Sequence, residues 1–237
     1  MDIVLIGYGK MGKAIESIAV ERGHRIGGII DVDNREEFTA ENLQKAQAAI
    51  EFTGPLTAFE NVVRCLEYGL PVVCGSTGWY GRLNEAKQLC AARGGSMLCA
   101  SNFSLGVNIF FELNRTLARL MKRFPEYSAG IKEIHHLRKL DAPSGTAITL
   151  AEGIMDENPD VKGWELDGDG QNGILPVHAV RENDVPGTHT VKYASDIDDI
   201  EITHTAHSRR GFALGAVLAA EYIHSRKGIF SMKDLIG

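Results

Sequence analysis

The sequence predicts an α/β fold in two parts: a doubly wound parallel sheet, then a second α+β domain with a mixed open sheet. Three observations carry this. Short apolar runs alternate with helix-like stretches from Asp2 to Ala100, the rhythm of parallel strands joined by crossover helices. The first run leads directly into a glycine turn, Gly7-Tyr-Gly-Lys-Met-Gly12. From Ser104 onward the rhythm yields to one long amphipathic helix and several alternating, strand-like runs.

Taken in order, Asp2–Ile6 is a short apolar run of the kind buried on both faces of a parallel sheet. A helix over 13–22 keeps Ile15, Ile18 and Ala19 on one side, and a second strand over 25–30 ends at Asp31. Strands are expected at 48–52, 71–74 and 96–100, with helices running to about Tyr68 and over 80–93. The turns after these strands, Thr53-Gly-Pro55, Gly75-Ser-Thr-Gly78 and Ser101-Asn-Phe103, share the carboxyl edge of the sheet, where ligands bind. Cofactor contact and plain tight turns are both open readings for them. In the second part, Val107, Phe110, Phe111, Leu117, Leu120, Met121 and Phe124 fall at helical spacing and read as core. Runs at 128–136, 174–181, 189–194 and 197–206 read as strands of a mixed or antiparallel sheet. Residues 158–173, rich in Gly, Asp and Asn, read as a solvated loop; Asp167, Asp169 and Asn172 lack the spacing of a calcium loop. A last helix covers 211–223.

Composition suits a globular enzyme: 44% hydrophobic and 24% charged residues. A formal charge of −6 gives no general attraction to nucleic acid or anionic membrane, so neither is expected as a partner. No stretch approaches the roughly 18 apolar residues of a membrane span, and Met1-Asp-Ile lacks a signal-peptide layout; the expected location is cytoplasmic. Cys65, Cys74, Cys90 and Cys99 form no C-x-x-C pair and are expected to be buried, reduced thiols.

Two motifs carry chemistry. Strand, G-x-G-x-x-G, helix, strand and acid is the dinucleotide-binding fingerprint of a Rossmann-type domain. Gly7 permits the tight turn, Gly9 lets the backbone approach a pyrophosphate, Gly12 lets the helix pack on the strand, and Asp31 is placed to bond the adenosine ribose. The alternative is a glycine-rich turn without ligand. The second motif is Glu133-Ile-His-His-Leu-Arg-Lys-Leu-Asp-Ala-Pro-Ser-Gly-Thr146. His135 and His136 can exchange protons near neutral pH, and Arg138 and Lys139 can attract a carboxylate. Gly145 and Thr146 open a helix whose first amides can seat a second anion. Together these describe a pocket for a small, doubly negative substrate that must be protonated. Adjacent histidines with no third ligand at suitable spacing argue against a metal, and none is expected. His204, His207, Arg209 and Arg210 form a second polar cluster, in which Arg209 is either an anion anchor or a solvated charge.

The chain resembles the 4-hydroxy-tetrahydrodipicolinate (dihydrodipicolinate) reductase family over essentially its full length. Gly7 to Gly12, Gly75 to Gly78, Ala100-Ser-Asn-Phe-Ser-Leu-Gly106, the Glu133 to Thr146 run, Pro186-Gly-Thr-His189 and Glu201-Ile-Thr-His204 occur in family order. The resemblance implies reduction of a cyclic, unsaturated dicarboxylate with NADH or NADPH, in lysine and diaminopimelate biosynthesis. By the same resemblance His135 is the proton donor and Lys139 the second acid/base and carboxylate partner. His136, Ser144, Gly145 and Thr146 match substrate positions. Gly7, Tyr8, Gly9, Lys10, Met11, Gly12, Asp31, Gly75, Ser76, Thr77, Ala100, Ser101, Asn102 and Phe103 match cofactor positions. It also implies a nucleotide domain over 1–103 rejoined by 209–237, a substrate domain over 104–208, and a homotetramer built by the open sheet. The stretch 34–47 is compact for the family, as though a helix and strand were trimmed. Asp31 and Asp33 would repel a 2′-phosphate while Arg35 could receive one; NADH is expected to be accepted, with NADPH open. Two rivals are a related enzyme acting on another oxo- or imino-acid, and a non-catalytic nucleotide sensor that would need no His135/Lys139 pair.

Overall fold

The computed structural model describes residues 1–43, 45–182 and 184–237. They form two compact units, one of Met1–Leu105 with Arg209–Gly237, the other of Gly106–Ser208.

The first unit is built on parallel strands β1 (Asp2–Ile6), β2 (Arg25–Ile30), β3 (Ala48–Glu51), β4 (Val72–Cys74), β5 (Ser96–Cys99) and, near the end of the chain, β11 (Gly228–Phe230). Their order is β11-β5-β4-β3-β1-β2. Successive strand residues point to opposite faces, and both faces are covered. Val4, Ile6, Ala49, Val72, Cys74 and Met97 share a core with α3 (Ala58–Glu67) and α4 (Leu83–Ala92). Ile3, Leu5, Ala48, Ile50, Val73 and Leu98 share the other with α1 (Lys10–Glu21) and α7 (Arg210–Ile223). That double burial is why these strands read as unbroken apolar runs. The small residues of α7 let it come close: a Cβ on Gly215 would lie 1.6 Å from the Phe103 carbonyl oxygen.

Three details depart from the sequence reading. Helix α1 starts at Lys10 rather than at 13, making Gly9 its N-cap. The compact stretch after Asp31 holds a 3₁₀ turn, Val32–Glu37, and a short α2 (Ala40–Leu43), which bury Phe38 and Leu43 against the sheet. Strand β11 is only three residues long, and its pairing with β5, not its own pattern, defines it.

The second unit has a five-stranded sheet of β6 (Ser128–His136), β7 (Gly163–Leu166), β8 (Ile174–Glu182), β9 (Thr188–Ala194) and β10 (Asp199–Thr205), in the order β10-β9-β6-β8-β7. It is mixed: β9 runs antiparallel to β10 and β6, whereas β8 runs parallel to β6 and β7. Helices α5 (Leu105–Met121) and α6 (Gly145–Glu157) pack Phe110, Met121, Leu150 and Ile154 against Ile131, Val177, Val191 and Tyr193 on one face. Among the described residues nothing packs on the other face, where Ser128, Gly130, Lys132, Thr190, Lys192 and Glu201 line a shallow groove.

Two expectations are corrected here. Residues 158–173 are not all loop, because Gly163–Leu166 pairs with β8 from Gly163↔Ile174 to Leu166↔Val177. Trp164 packs against the core, and the surrounding turn residues, with positive φ at Asp167, Gly170, Asn172 and Gly173, masked this edge strand. The core stripe is narrower than expected: on α5 Leu120 is 60% exposed, and Phe124, beyond the end of the helix, is 48% exposed. Leu120 lies about 100° around the helix from the buried Met121, outside the face that meets the sheet. Among the described residues, no helix is long and apolar enough to cross a membrane.

Candidate active site

Strand β6 carries Ile131, Glu133 and His135 on the same face, two residues apart, so the apolar row of the core turns polar as the strand nears its end. Register completes the cluster. Glu133 lies opposite His189 on β9, and His135 opposite Arg181 on β8. The Glu133 carboxylate is fully buried. Both its oxygens accept the Ser144 amide at 3.1 Å, and Oε1 also accepts Arg181 Nη2 at 3.2 Å. Oε2 lies 3.4 Å from His135 Nδ1 and 3.6 Å from His189 Nε2. The two imidazoles meet edge to face with centroids 5.0 Å apart. Gly187 passes beside His135; a Cβ there would be 3.0 Å from Nε2, so the missing side chain leaves that nitrogen approachable.

The segment after β6 brings two further anion-binding elements. Lys139 Nζ donates to both Asp141 oxygens, at 2.8 and 2.9 Å, so an internal carboxylate already occupies it. Helix α6 begins at Gly145 with buried Ser144 as N-cap, whose Oγ accepts from the Ala147 amide at 3.2 Å. The amides of Gly145 and Thr146 lie in the first turn, where a helix has no internal acceptor for them. His136, the last residue of β6, is half-buried, and its Nδ1 is buried without a partner.

Charge follows from this packing. Burial pushes the Glu133 carboxyl up, yet His189, the Ser144 hydroxyl and amide, and the His135 ring outweigh it and hold it at about 2. Burial lowers His135 to about 4; Glu133 pulls it back up, while His189, Lys139 and Arg181 push it further down. In the free protein at neutral pH His135 is therefore uncharged. Glu133, His135 and His189 could each offer a ligand atom within 4.8 Å of the others, a grouping hidden from the sequence because His189 joins through β9. The guanidinium already on that carboxylate opposes a cation there.

In the first unit the glycine loop has the geometry of a phosphate cradle. Gly7 has φ +92, and a Cβ on it would be 2.3 Å from the Phe52 carbonyl oxygen; one on Gly12 would be 2.3 Å from that of Gly7. A Cβ on Gly9 would meet nothing within 4 Å, so this backbone is open to a ligand at the N-terminus of α1. Asp31 ends β2 with Oδ2 accepting the Tyr8 amide at 3.2 Å and Oδ1 the Val32 amide at 2.9 Å. The residues present thus fit a dinucleotide. We expect Gly12→Ala to abolish measurable nucleotide binding, through the clash with Gly7, in a fluorescence titration; unchanged affinity would refute the cradle.

Family models match both parts: "Dihydrodipicolinate reductase, N-terminus" over residues 1–103 and "Dihydrodipicolinate reductase, C-terminus" over 106–236. The chain is 51% identical to the 4-hydroxy-tetrahydrodipicolinate reductase of Christiangramia forsetii, covering 100% of this chain and 98% of that one. The chain belongs to the dihydrodipicolinate reductase family. To the reductase of Akkermansia muciniphila it is 35% identical, again covering 100% and 98%. A solved dipicolinate-bound dihydrodipicolinate reductase from Paenisporosarcina sp. TG-14 shares its fold, with TM-score 0.78 at 21% identity over 98% and 97% of the two chains. Reductases of this family use NADH or NADPH.

Within this reductase framework the expected cofactor residues differ in what they can offer. The Ser76 hydroxyl points inward to Glu51 Oε1 at 3.1 Å, and Phe103 is buried against Phe52. Both can reach a ligand only through their backbone. Gly75 passes under the Phe52 ring, where a Cβ would be 2.1 Å from it. Lys10 and Ser101 are exposed, while Met11, Thr77, Ala100 and Asn102 are mostly half-buried or exposed around the same edge. Arg210 is engaged by Glu21, and Arg209 stands exposed as the N-cap of α7. Sequence reasoning missed two buried acids. Glu51, fully buried, binds Cys74 Sγ at 2.9 Å, Ser76 and the Thr53 amide, tying together the turns after β3 and β4. Glu133 was visible as part of its run, but only the period-two spacing with Ile131 and His135 marks it as inward-facing.

Proposed function

We propose that this chain reduces 4-hydroxy-tetrahydrodipicolinate to tetrahydrodipicolinate with NADH or NADPH, in lysine and diaminopimelate biosynthesis. The observation that carries this is the buried Glu133–His135–His189–Arg181 cluster set against the start of α6. It offers a protonatable ring, an ammonium group and first-turn amides, the set a small dicarboxylate needs. In this reading Met1–Leu105 with Arg209–Gly237 holds the cofactor through the Gly7–Gly12 loop, Asp31 and the turns at 75–77 and 100–103, and Gly106–Ser208 holds the substrate.

Loss of the substrate's 4-hydroxyl as water, with a proton from the adjacent carbon, leaves a conjugated ring. The nicotinamide, when bound, supplies a hydride to the electron-poor carbon that carried the hydroxyl. Lys139 exchanges Asp141 for one substrate carboxylate, while Ser144, Gly145 and Thr146 take the other, with His136 beside them. Two negative charges near His135 raise its affinity for a proton. Substrate binding therefore charges the ring, and Nε2, beside Gly187, delivers that proton to the carbon next to the one reduced. Glu133 stabilises the imidazolium. Fixing both carboxylates supplies the positioning on which such a step depends.

Asp31 is held by two amides, so its charge stays at the ribose position and disfavours a 2′-phosphate. Asp31→Ala is expected to raise the NADPH-to-NADH ratio of kcat/KM roughly tenfold, the effect of removing about one unfavourable charge contact; an unchanged ratio would remove Asp31 from the selection. A cytoplasmic location and a homotetramer belong to the same reading, and the uncovered sheet face supports the latter. The test is cofactor oxidation with substrate formed in place from pyruvate and aspartate semialdehyde by a coupling synthase. Substrate-dependent loss of nicotinamide absorbance supports the reductase. A folded protein that binds nucleotide without turnover or dicarboxylate affinity would instead be a sensor.

A further inference from the structure

We infer that Glu51 is a positioning residue for the nicotinamide half of the cofactor: its buried carboxylate is the common acceptor of the turns after β3 and β4 and holds them in the shape that receives that half. This rests on the dinucleotide reading of the first unit. Sheet order decides which half is concerned. The glycine loop after β1 marks the pyrophosphate, and Asp31, at the end of β2, marks the adenosine side of it. In the order β11-β5-β4-β3-β1-β2, the ends of β3 and β4 lie on the opposite side of β1. A dinucleotide laid along this edge reaches them with its nicotinamide half.

Glu51 closes β3, opposite Ile6 on β1 and Cys74 on β4, and is fully buried at the end of the apolar run Ala48-Ala-Ile50. A carboxylate in such a place is costly unless its oxygens are hydrogen-bonded. Both turns supply the donors. The Thr53 hydroxyl and, at 3.1 Å, the Ser76 hydroxyl donate to Oε1. The Thr53 amide is shared between Oε1 at 3.0 Å and Ser76 Oγ at 2.9 Å. Cys74 Sγ donates to Oε2 at 2.9 Å, and Asn61 Nδ2 of α3 donates to Thr53 Oγ1 at 3.3 Å. With both hydroxyl protons spent on Glu51, the turns meet a ligand with main chain. A Cβ on Gly54 would find nothing within 4 Å, whereas one on Gly78, at φ +81, would lie 3.0 Å from Pro55. The two turns therefore touch each other, and their open side is backbone. Without the carboxylate, the two hydroxyls lose their shared acceptor and the turns their link.

The test compares NADH with ADP, which carries the adenosine and the pyrophosphate but no nicotinamide, by calorimetry on the full-length protein without substrate. Glu51→Met keeps the length of the side chain and offers no acceptor. It should weaken NADH about tenfold or more, the worth of a hydrogen bond to a charged group, and leave ADP within about twofold. In Glu51→Gln the side-chain oxygen still accepts from both turns, with the amide toward Cys74, and NADH should stay within about threefold of the parent. Ser76→Ala removes one link without touching the acid, and decides the matter should Glu51→Met not fold; it should weaken NADH about threefold and spare ADP. A general loosening of the unit would weaken both ligands alike. Parental NADH affinity in Glu51→Met or Ser76→Ala, equal losses of NADH and ADP, or Glu51→Gln losing as much as Glu51→Met would overturn the inference and leave the reductase reading intact. Failure of the parent protein to bind either nucleotide would overturn both.

Discussion

Replacing His135 with Gln will lower turnover by about 10²–10⁴-fold, the span expected on losing a general acid. Gln keeps the polarity and much of the size of the ring but carries no titrating proton. The carboxylate partners Lys139, Ser144, Gly145 and Thr146 are unchanged, so KM should move far less than kcat. The same variant has a signature in stability. His135 binds its proton at about 4 in the folded chain, against an ordinary value of 6.5, because burial dominates. The unfolded chain therefore binds the proton first as pH falls, and the parent protein loses stability from about pH 6.5 toward 4. His135→Gln should flatten that part of the curve. Near-parental turnover, or an unaltered stability profile in urea titrations across this range, would contradict the role given to His135.

Glu133→Ala should destabilise the chain by about 3–5 kcal/mol, the usual consequence of removing one partner from a buried ion pair. Its loss leaves Arg181, the Ser144 amide and the neighbouring imidazoles without their common acceptor, in a site where Glu133 is wholly enclosed. With the folded pKa depressed to about 2, Glu133 contributes stability above the ordinary carboxylate range that disappears as pH falls from about 4.5 toward 2. The cost of the substitution should therefore be full at neutral pH and shrink in acid. Chemical denaturation at pH 7 and pH 3 measures both, and a loss below about 1 kcal/mol at pH 7 would show that the cluster is not held together by this carboxylate.

Much of the first unit was legible because its strands are buried on both faces and its turns use glycine where φ or close approach demands it, as at Gly7 and Gly12. What pattern could not supply were elements defined by their neighbours. Strand β11 exists because β5 offers a free edge, and β7 because β8 does, although its flanks read as loop. The same holds at the site. His135, Lys139 and Ser144 lie in one run and were readable together. His189 and Arg181 reach them only through the register of β9 and β8, which no local spacing encodes. Lys139 was foreseen as a carboxylate partner, but its pairing with Asp141 two residues on was not.

The most direct test of the central claim is transfer of deuterium from NADH carrying it at the reactive position of the nicotinamide, with substrate generated in place. The account predicts tetrahydrodipicolinate bearing one deuterium on the reduced ring carbon, and none on the adjacent carbon that receives its proton from solvent through His135. Product without deuterium, or no product from a folded, cofactor-bound protein, would contradict it.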